Sequence, residues 1–179
     1  MSIETNPSES SAPPPPLPAV LLPGCVFGLV DPSGRGVYAI RPYREGEIVL
    51  AGHVDGEFPR DRHPLRQVTL DEAAVRGGLL GQVAHSCAPS CGVRMNAVGT
   101  HDLVARYSIR PGSEITVDYA MRSFSIDLFP AHCQCGTVGC RGAITGFKDL
   151  PHERKLAYQG LVAPHLLLLD SVPNQAQSR

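Results

Sequence analysis

From Cys25 onward, apolar residues come in short runs between turn formers, the signature of short strands rather than long helices. Residues 25–30 are β-prone and end at the turn Asp31-Pro32-Ser33-Gly34. Strand patterns follow at 37–40 and 48–53, separated by a loop containing Glu45-Gly46. Residues 93–95 and 103–107 read as strands flanking a turn near Gly99, and 115–119 as another after the turn at Pro111-Gly112. Helical signals are few. Thr69-Leu70-Asp71-Glu72 predicts a cap for a short helix over 73–76, stopped by Gly77-Gly78. Asp149 followed by Pro151 predicts a helix that runs to about Tyr158 and stops near Gly160, and Pro164 opens a second one carrying residues 166–169. Leu161, Val162 and residues 166–169 are expected to cover the core, with a dimer face as the alternative. The pattern predicts a mainly β domain with short helices over about residues 24–170.

Composition sharpens this picture. Gly 18 and Pro 17 make up about a fifth of the 179 residues, well above the usual ~12%, which favours turns and excludes long helical bundles. Residues 1–22 hold the run Pro13-Pro14-Pro15-Pro16 and are expected to be a disordered Ser/Pro-rich leader, as residues 171–179 are expected to be a flexible tail. The formal net charge of -1 argues against a dedicated nucleic-acid binder, which would usually be strongly basic, so no direct nucleic-acid binding is expected. Residues 1–11 carry Glu4 and Glu9 and no Lys or Arg, so a secretory n-region is not expected. The apolar stretch 17–22 is short and broken by Pro18, and no run approaches the ~20 residues of a membrane span. These features predict a cytoplasmic protein with no membrane partner.

Clustered cysteines in a reducing compartment favour metal over disulfides. Cys133-Gln134-Cys135 with Cys140 gives a C-x-C-x4-C spacing, and three thiolates so close can wrap one ion. Cysteines at i and i+2 point oppositely on a strand, so the spacing fits a loop, and Gly136, Gly139 and Gly142 permit its tight turns. Tetrahedral zinc needs a fourth ligand: Cys87 leads, with Cys25, Cys91, His85 and His132 competing. Such a site has no open position and its role is structural. Taken singly, Gly34-Arg35-Gly36 reads as a turn, His85 as a structural histidine and Tyr119 as a packed ring. No nucleophile elbow, P-loop or H-E-x-x-H is present.

Their order carries more than each alone. The chain reads Ser33-Gly34-Arg35-Gly36-Val37-Tyr38-Ala39, Gly46-Glu47-Ile48-Val49, His85-Ser86-Cys87-Ala88-Pro89, Gly112-Ser113-Glu114-Ile115-Thr116-Val117-Asp118-Tyr119, and Cys133-Gln134-Cys135 through Cys140-Arg141-Gly142. This succession resembles the SET-domain lysine methyltransferases with a post-SET zinc loop, over about residues 25–148. Gly146-Phe147-Lys148-Asp149-Leu150-Pro151 is similar to small stand-alone bacterial members. The resemblance implies a SET-like domain over 24–131, a post-SET loop over 132–148 and a helical segment over 149–170. It also implies a knot-like β fold that brings His85 to Tyr119.

By the same resemblance, Gly34, Arg35, Gly36, Tyr38, Ala84 and His85 contact S-adenosylmethionine, Tyr119 is the catalytic tyrosine, and Cys87, Cys133, Cys135 and Cys140 hold zinc. Three positions depart from the family: Ala84 and Ser90 stand where Asn is usual, and Val117 where Phe or Tyr is frequent. Loss of one hydrogen bond to a charged group costs about 1.5–3 kcal/mol, one to two decades of cofactor affinity. The expected activity is methyl transfer to a lysine side chain of a protein. The alternatives are a zinc-stabilised binding module that has lost catalysis, and a methyltransferase for a small-molecule amine. Glu57, Asp71 and Glu72 would rim a substrate groove.

Overall fold

The computed structural model describes residues 25–31, 34–52, 82–97, 99–126 and 132–171. The Pro-rich leader, the 73–76 helix, the acidic rim of Glu57, Asp71 and Glu72, and residues 172–179 lie outside the described residues.

Among the described residues seven strands form the frame: β1 (Cys25–Asp31), β2 (Gly34–Ala39), β3 (Ile48–Leu50), β4 (Ala84–His85), β5 (Cys91–Met95), β6 (His101–Ala105) and β7 (Glu114–Val117). Two helices follow, α1 (His152–Ala157) and α2 (Pro164–Ser171). The sheet runs β1-β2-β7-β5-β6-β3, with β4 paired to β7 off that path. The expected strands are all found, shifted at their ends by a few residues. β4 is the strand that the hydrophobic pattern did not announce, because its two residues are too few for alternation to register. The expected helices appear after Pro151 and at Pro164, and Gly160, in the left-handed region at φ 76°, follows the first as anticipated.

Most ladders are antiparallel, but β4 and β5 both pair parallel with β7. His85 and Cys91 share one partner, Val117, so the chain from 86 to 90 wraps the end of β7 and carries Cys87 there. Serine fastens that wrap: Ser90 N–H donates to Thr116 Oγ1 at 3.0 Å, and Thr116 N–H returns a bond to Ser90 Oγ at 2.8 Å. Ser90, the position where the resembling family has Asn, is thus a satisfied buried group within the sheet.

Along β7, Ile115 and Val117 are fully buried while Glu114 and Thr116 face the other way, as a period of two requires. Val37, Leu50, Val93 and Leu103 pack with them, and Met121, Phe147, Tyr158 and Leu166 close the core from the C-terminal side. Val162 and Leu166 are core, as expected, whereas Leu167 and Leu168 are exposed. Four consecutive leucines cannot share one face of a helix, and the face that carries His165 and Leu166 is the one packed on the core. No helix among the described residues is long and apolar enough to cross a membrane.

Candidate active site and metal centre

The parallel pairing of β4 with β7 determines the site. It sets His85 at the C-terminal end of β7, where the chain turns into the short 3-10 segment Tyr119–Met121. Tyr119 N–H donates to His85 Nδ1 at 3.3 Å, and the two rings meet edge-on with centroids 5.1 Å apart. Because Nδ1 accepts, the imidazole proton sits on Nε2, which lies 3.5 Å from Cys87 Sγ. Burial lowers the His85 pKa, outweighing the nearby Asp118, so the ring is neutral at pH 7. The 3.6 Å approach of His85 Nδ1 to Asp118 Oδ1 is therefore no ion pair.

The Tyr119 hydroxyl donates to the Val83 carbonyl at 3.1 Å. Burial raises its pKa, more than Arg122 offsets, so the phenol stays protonated. Beside it opens a cleft of about 510 Å³, lined by Val83, Ala84, His85, Thr116, Tyr119 and Cys133 among others. Glu114 also lines it, and faces Gly36 on the adjacent strand. A side chain on Gly36 would meet Glu114 Oε1 at 2.7 Å and the Tyr38 hydroxyl at 2.8 Å, so glycine keeps this approach open. Ala84, His85 and Tyr119 thus share one cleft. Gly36 and Tyr38 stand one strand away against its Glu114 wall, and Gly34 and Arg35 open the same strand β2.

The sulfurs of Cys87, Cys133, Cys135 and Cys140 all lie within 4.8 Å of one another, a set that could hold a metal ion. The C-x-C pair sits on irregular chain, as its spacing requires. Backbone amides point at the sulfurs: Arg141 N–H at Cys87 Sγ (3.4 Å), Cys87 N–H at Cys135 Sγ (3.5 Å) and Gly142 N–H at Cys140 Sγ (3.4 Å). Such donors stabilise thiolates. Burial pushes Cys87 up and Cys133 up to about 12, while Cys135 is brought down to about 5 because bonds from Thr137 and the Cys87 N–H outweigh burial. Four thiolates in one shell need a cation, and the donor set fits a soft divalent ion. Cys91 lies apart in β5.

These features define a cleft bordered by a tyrosine, a neutral histidine and a four-cysteine cluster. The SET domain family matches the chain over residues 34–120. Those residues are a SET domain. Its curated relatives include the histone-lysine N-methyltransferase ATXR3 of Arabidopsis thaliana, 32% identical over 96 residues, which is 50% of this chain and 4% of that protein. The histone-lysine N-methyltransferase eggless of Drosophila melanogaster is 32% identical over 123 residues, 63% of this chain and 9% of that protein. The histone H3-lysine(4) N-trimethyltransferase ATX1 of Arabidopsis thaliana is 27% identical over 141 residues, 66% of this chain and 13% of that protein. The chain therefore spans a small part of the length of these relatives.

Within this SET domain one residue emerges that sequence reasoning named only as a strand end. Asp118 is fully buried, and its carboxylate gathers four hydrogen bonds. Arg141 donates from Nη1 at 2.6 Å and Nη2 at 3.0 Å, Tyr158 O–H at 2.9 Å and Ala120 N–H at 3.1 Å. Burial, reinforced by Asp118, raises the Tyr158 pKa to about 12. Arg154 adds a further tie, donating to the carbonyls of Cys87 (3.0 Å) and Gly139 (3.1 Å). The Arg immediately after Cys140 was the available signal, but nothing local to it names a partner 23 positions upstream.

Proposed function

We propose that this SET-domain protein is an S-adenosylmethionine-dependent methyltransferase acting on a lysine side chain of a protein, with structural zinc in the four-cysteine cluster. The observation that carries the reading is the Tyr119 hydroxyl, bonded to the Val83 carbonyl at the cleft shared by Ala84 and His85. Gly34, Arg35, Gly36, Tyr38, Ala84 and His85 would hold the cofactor, which supplies an activated methyl group when bound. Cys87, Cys133, Cys135 and Cys140 would hold zinc, tying the 132–142 loop over the cleft that Cys133 and Cys135 also line.

Methyl transfer is an in-line displacement in which alignment supplies much of the rate. The acceptor amine must reach the cleft neutral, although a free lysine titrates near pH 10.4. Its proton leaves to solvent before the N–C bond forms. Tyr119 is not the base, because its phenol is itself protonated. Its hydroxyl, with the Val83 carbonyl, forms a polar rim that orients the amine lone pair. The chain's own chemistry is therefore positioning and desolvation.

Calorimetric titration of zinc-loaded protein with S-adenosylmethionine, followed by assay on a panel of lysine-bearing proteins, tests the reading. Replacing Tyr119 with Phe is expected to cut turnover roughly 100-fold, with cofactor affinity changed less than about threefold. Undiminished turnover would remove Tyr119 from the mechanism. The rate of the wild type should climb from about pH 7 to about pH 10, as the acceptor amine loses its proton and Tyr119, raised above its usual value, keeps its own. A profile that falls before about pH 10 contradicts a protonated, positioning tyrosine.

One observation favours a second reading. Ala84 gives the cleft a methyl group where the family's Asn would give an amide. A folded, zinc-bearing protein that takes up no cofactor at millimolar concentration would be a binding module that has lost catalysis. Labelling of an amino-bearing metabolite, with the protein panel blank, would assign a small-molecule acceptor.

A further inference from the structure

Asp118 immediately precedes Tyr119 and caps the 3-10 turn that Tyr119 begins, through Oδ1 and the Ala120 N–H. The two side chains that hold this carboxylate come from elsewhere. Arg141 follows the cluster residue Cys140, and its own N–H points at Cys87 Sγ. Tyr158 follows α1, and its hydroxyl also approaches the Cys87 carbonyl at 3.4 Å. One buried carboxylate thus joins the turn bearing Tyr119, the cysteine loop and the C-terminal helical segment.

The energetics make this junction consequential. A carboxylate taken out of water needs its partners, and an Arg fork with two parallel bonds is the strongest available. The guanidinium reaches Asp118 only if residue 141 is where the closed loop puts it. An open loop leaves Asp118 with Tyr158 and one amide, and a charge that must find water. The turn it caps is three residues long and rests on few backbone bonds of its own: Met121 N–H to the Asp118 carbonyl at 2.8 Å, and Arg122 and Ser123 N–H to the Tyr119 carbonyl at 3.1 and 3.0 Å.

We infer that Arg141 and Asp118 are positioning residues that couple closure of the cysteine loop to the placement of Tyr119. The coupling rests on the methyltransferase reading only for its catalytic consequence; the geometric link is independent of it.

The test uses the full zinc-loaded chain labelled with 3-fluorotyrosine. The protein has five tyrosines, and the Tyr119 resonance is assigned by its loss in Tyr119→Phe. Arg141→Gln is expected to keep one zinc per chain, shift or broaden the Tyr119 line, and lower kcat at least about 10-fold, with KM for the acceptor protein changed less than about threefold. Arg141→Lys, which keeps charge and loses the fork, should give an intermediate shift. It also carries the test should the glutamine variant not fold. Arg41→Gln, which breaks the exposed Arg41–Glu47 pair, should leave the line in place. Removing zinc from the wild type should move the same line. An unmoved Tyr119 line in the zinc-bearing arginine variants overturns the inference. So does loss of zinc in them, which would make Arg141 a part of the loop alone. A wild type that transfers no methyl group refutes the proposed function, yet the resonance still decides the coupling.

Discussion

Stripping the metal with a chelator is expected to lower the melting temperature by about 10 °C and to open residues 132–142 to protease. Three of the four sulfurs lie in this loop, which has no strand or helix of its own, and the fourth sulfur is on the wrap that carries Cys87. With all four sulfurs within 4.8 Å of one another, the proposed zinc would offset the mutual repulsion of the thiolates. Losing about 3 kcal/mol from a domain of this size corresponds to a fall of that order. Cys133→Ser should reproduce the effect, and Cys91→Ser, a thiol outside the cluster, should not show the protease sensitivity. The check is metal analysis by mass spectrometry with calorimetry on the same samples. A melting temperature unchanged by metal removal would make the cluster four free thiols and nothing more.

Asp118→Ala is expected to cost 3–5 kcal/mol, the usual penalty for removing one partner of a buried ion pair. The alanine would leave the Arg141 guanidinium, the Tyr158 hydroxyl and the Ala120 amide facing a void. In urea the midpoint should fall by about 2 M at unchanged slope. Asp118→Asn, which keeps the volume and an acceptor for the turn, should fall less far. A loss below about 1 kcal/mol for the alanine variant would mean that the carboxylate is hydrated and that its partners are interchangeable with water.

The strands were readable because short apolar runs lie between turns written in glycine and proline. The cysteine loop was readable for a different reason: cysteines at i and i+2 point oppositely on a strand, so the C-x-C spacing fits a loop better. What could not be read is what depends on distance in the chain. β4 has two residues, and its partnership with β7 comes from a parallel pairing that no local rule announces. Tyr119 could be named, but the side chains behind it could not. Arg141 and Arg154 look like any other surface arginine until the fold aims them at Asp118 and at the Cys87 and Gly139 carbonyls. Ser90 shows the reverse case. As a departure from the family pattern it put activity in question, and the structure has it exchanging hydrogen bonds with Thr116.

The wrap at the end of β7 has a further consequence for how the protein is made. Cys87 waits for thiols at least 46 positions later, and its carbonyl for Arg154 and Tyr158, 67 and 71 positions later. Contacts of such high sequence separation close late and slowly. While the chain is being synthesised, the sheet strands emerge well before the residues that complete the cleft. A nascent chain that has not yet released Tyr158 has a framework but no finished site. The cleft and its supporting contacts are therefore completed late, when the C-terminal helical segment docks.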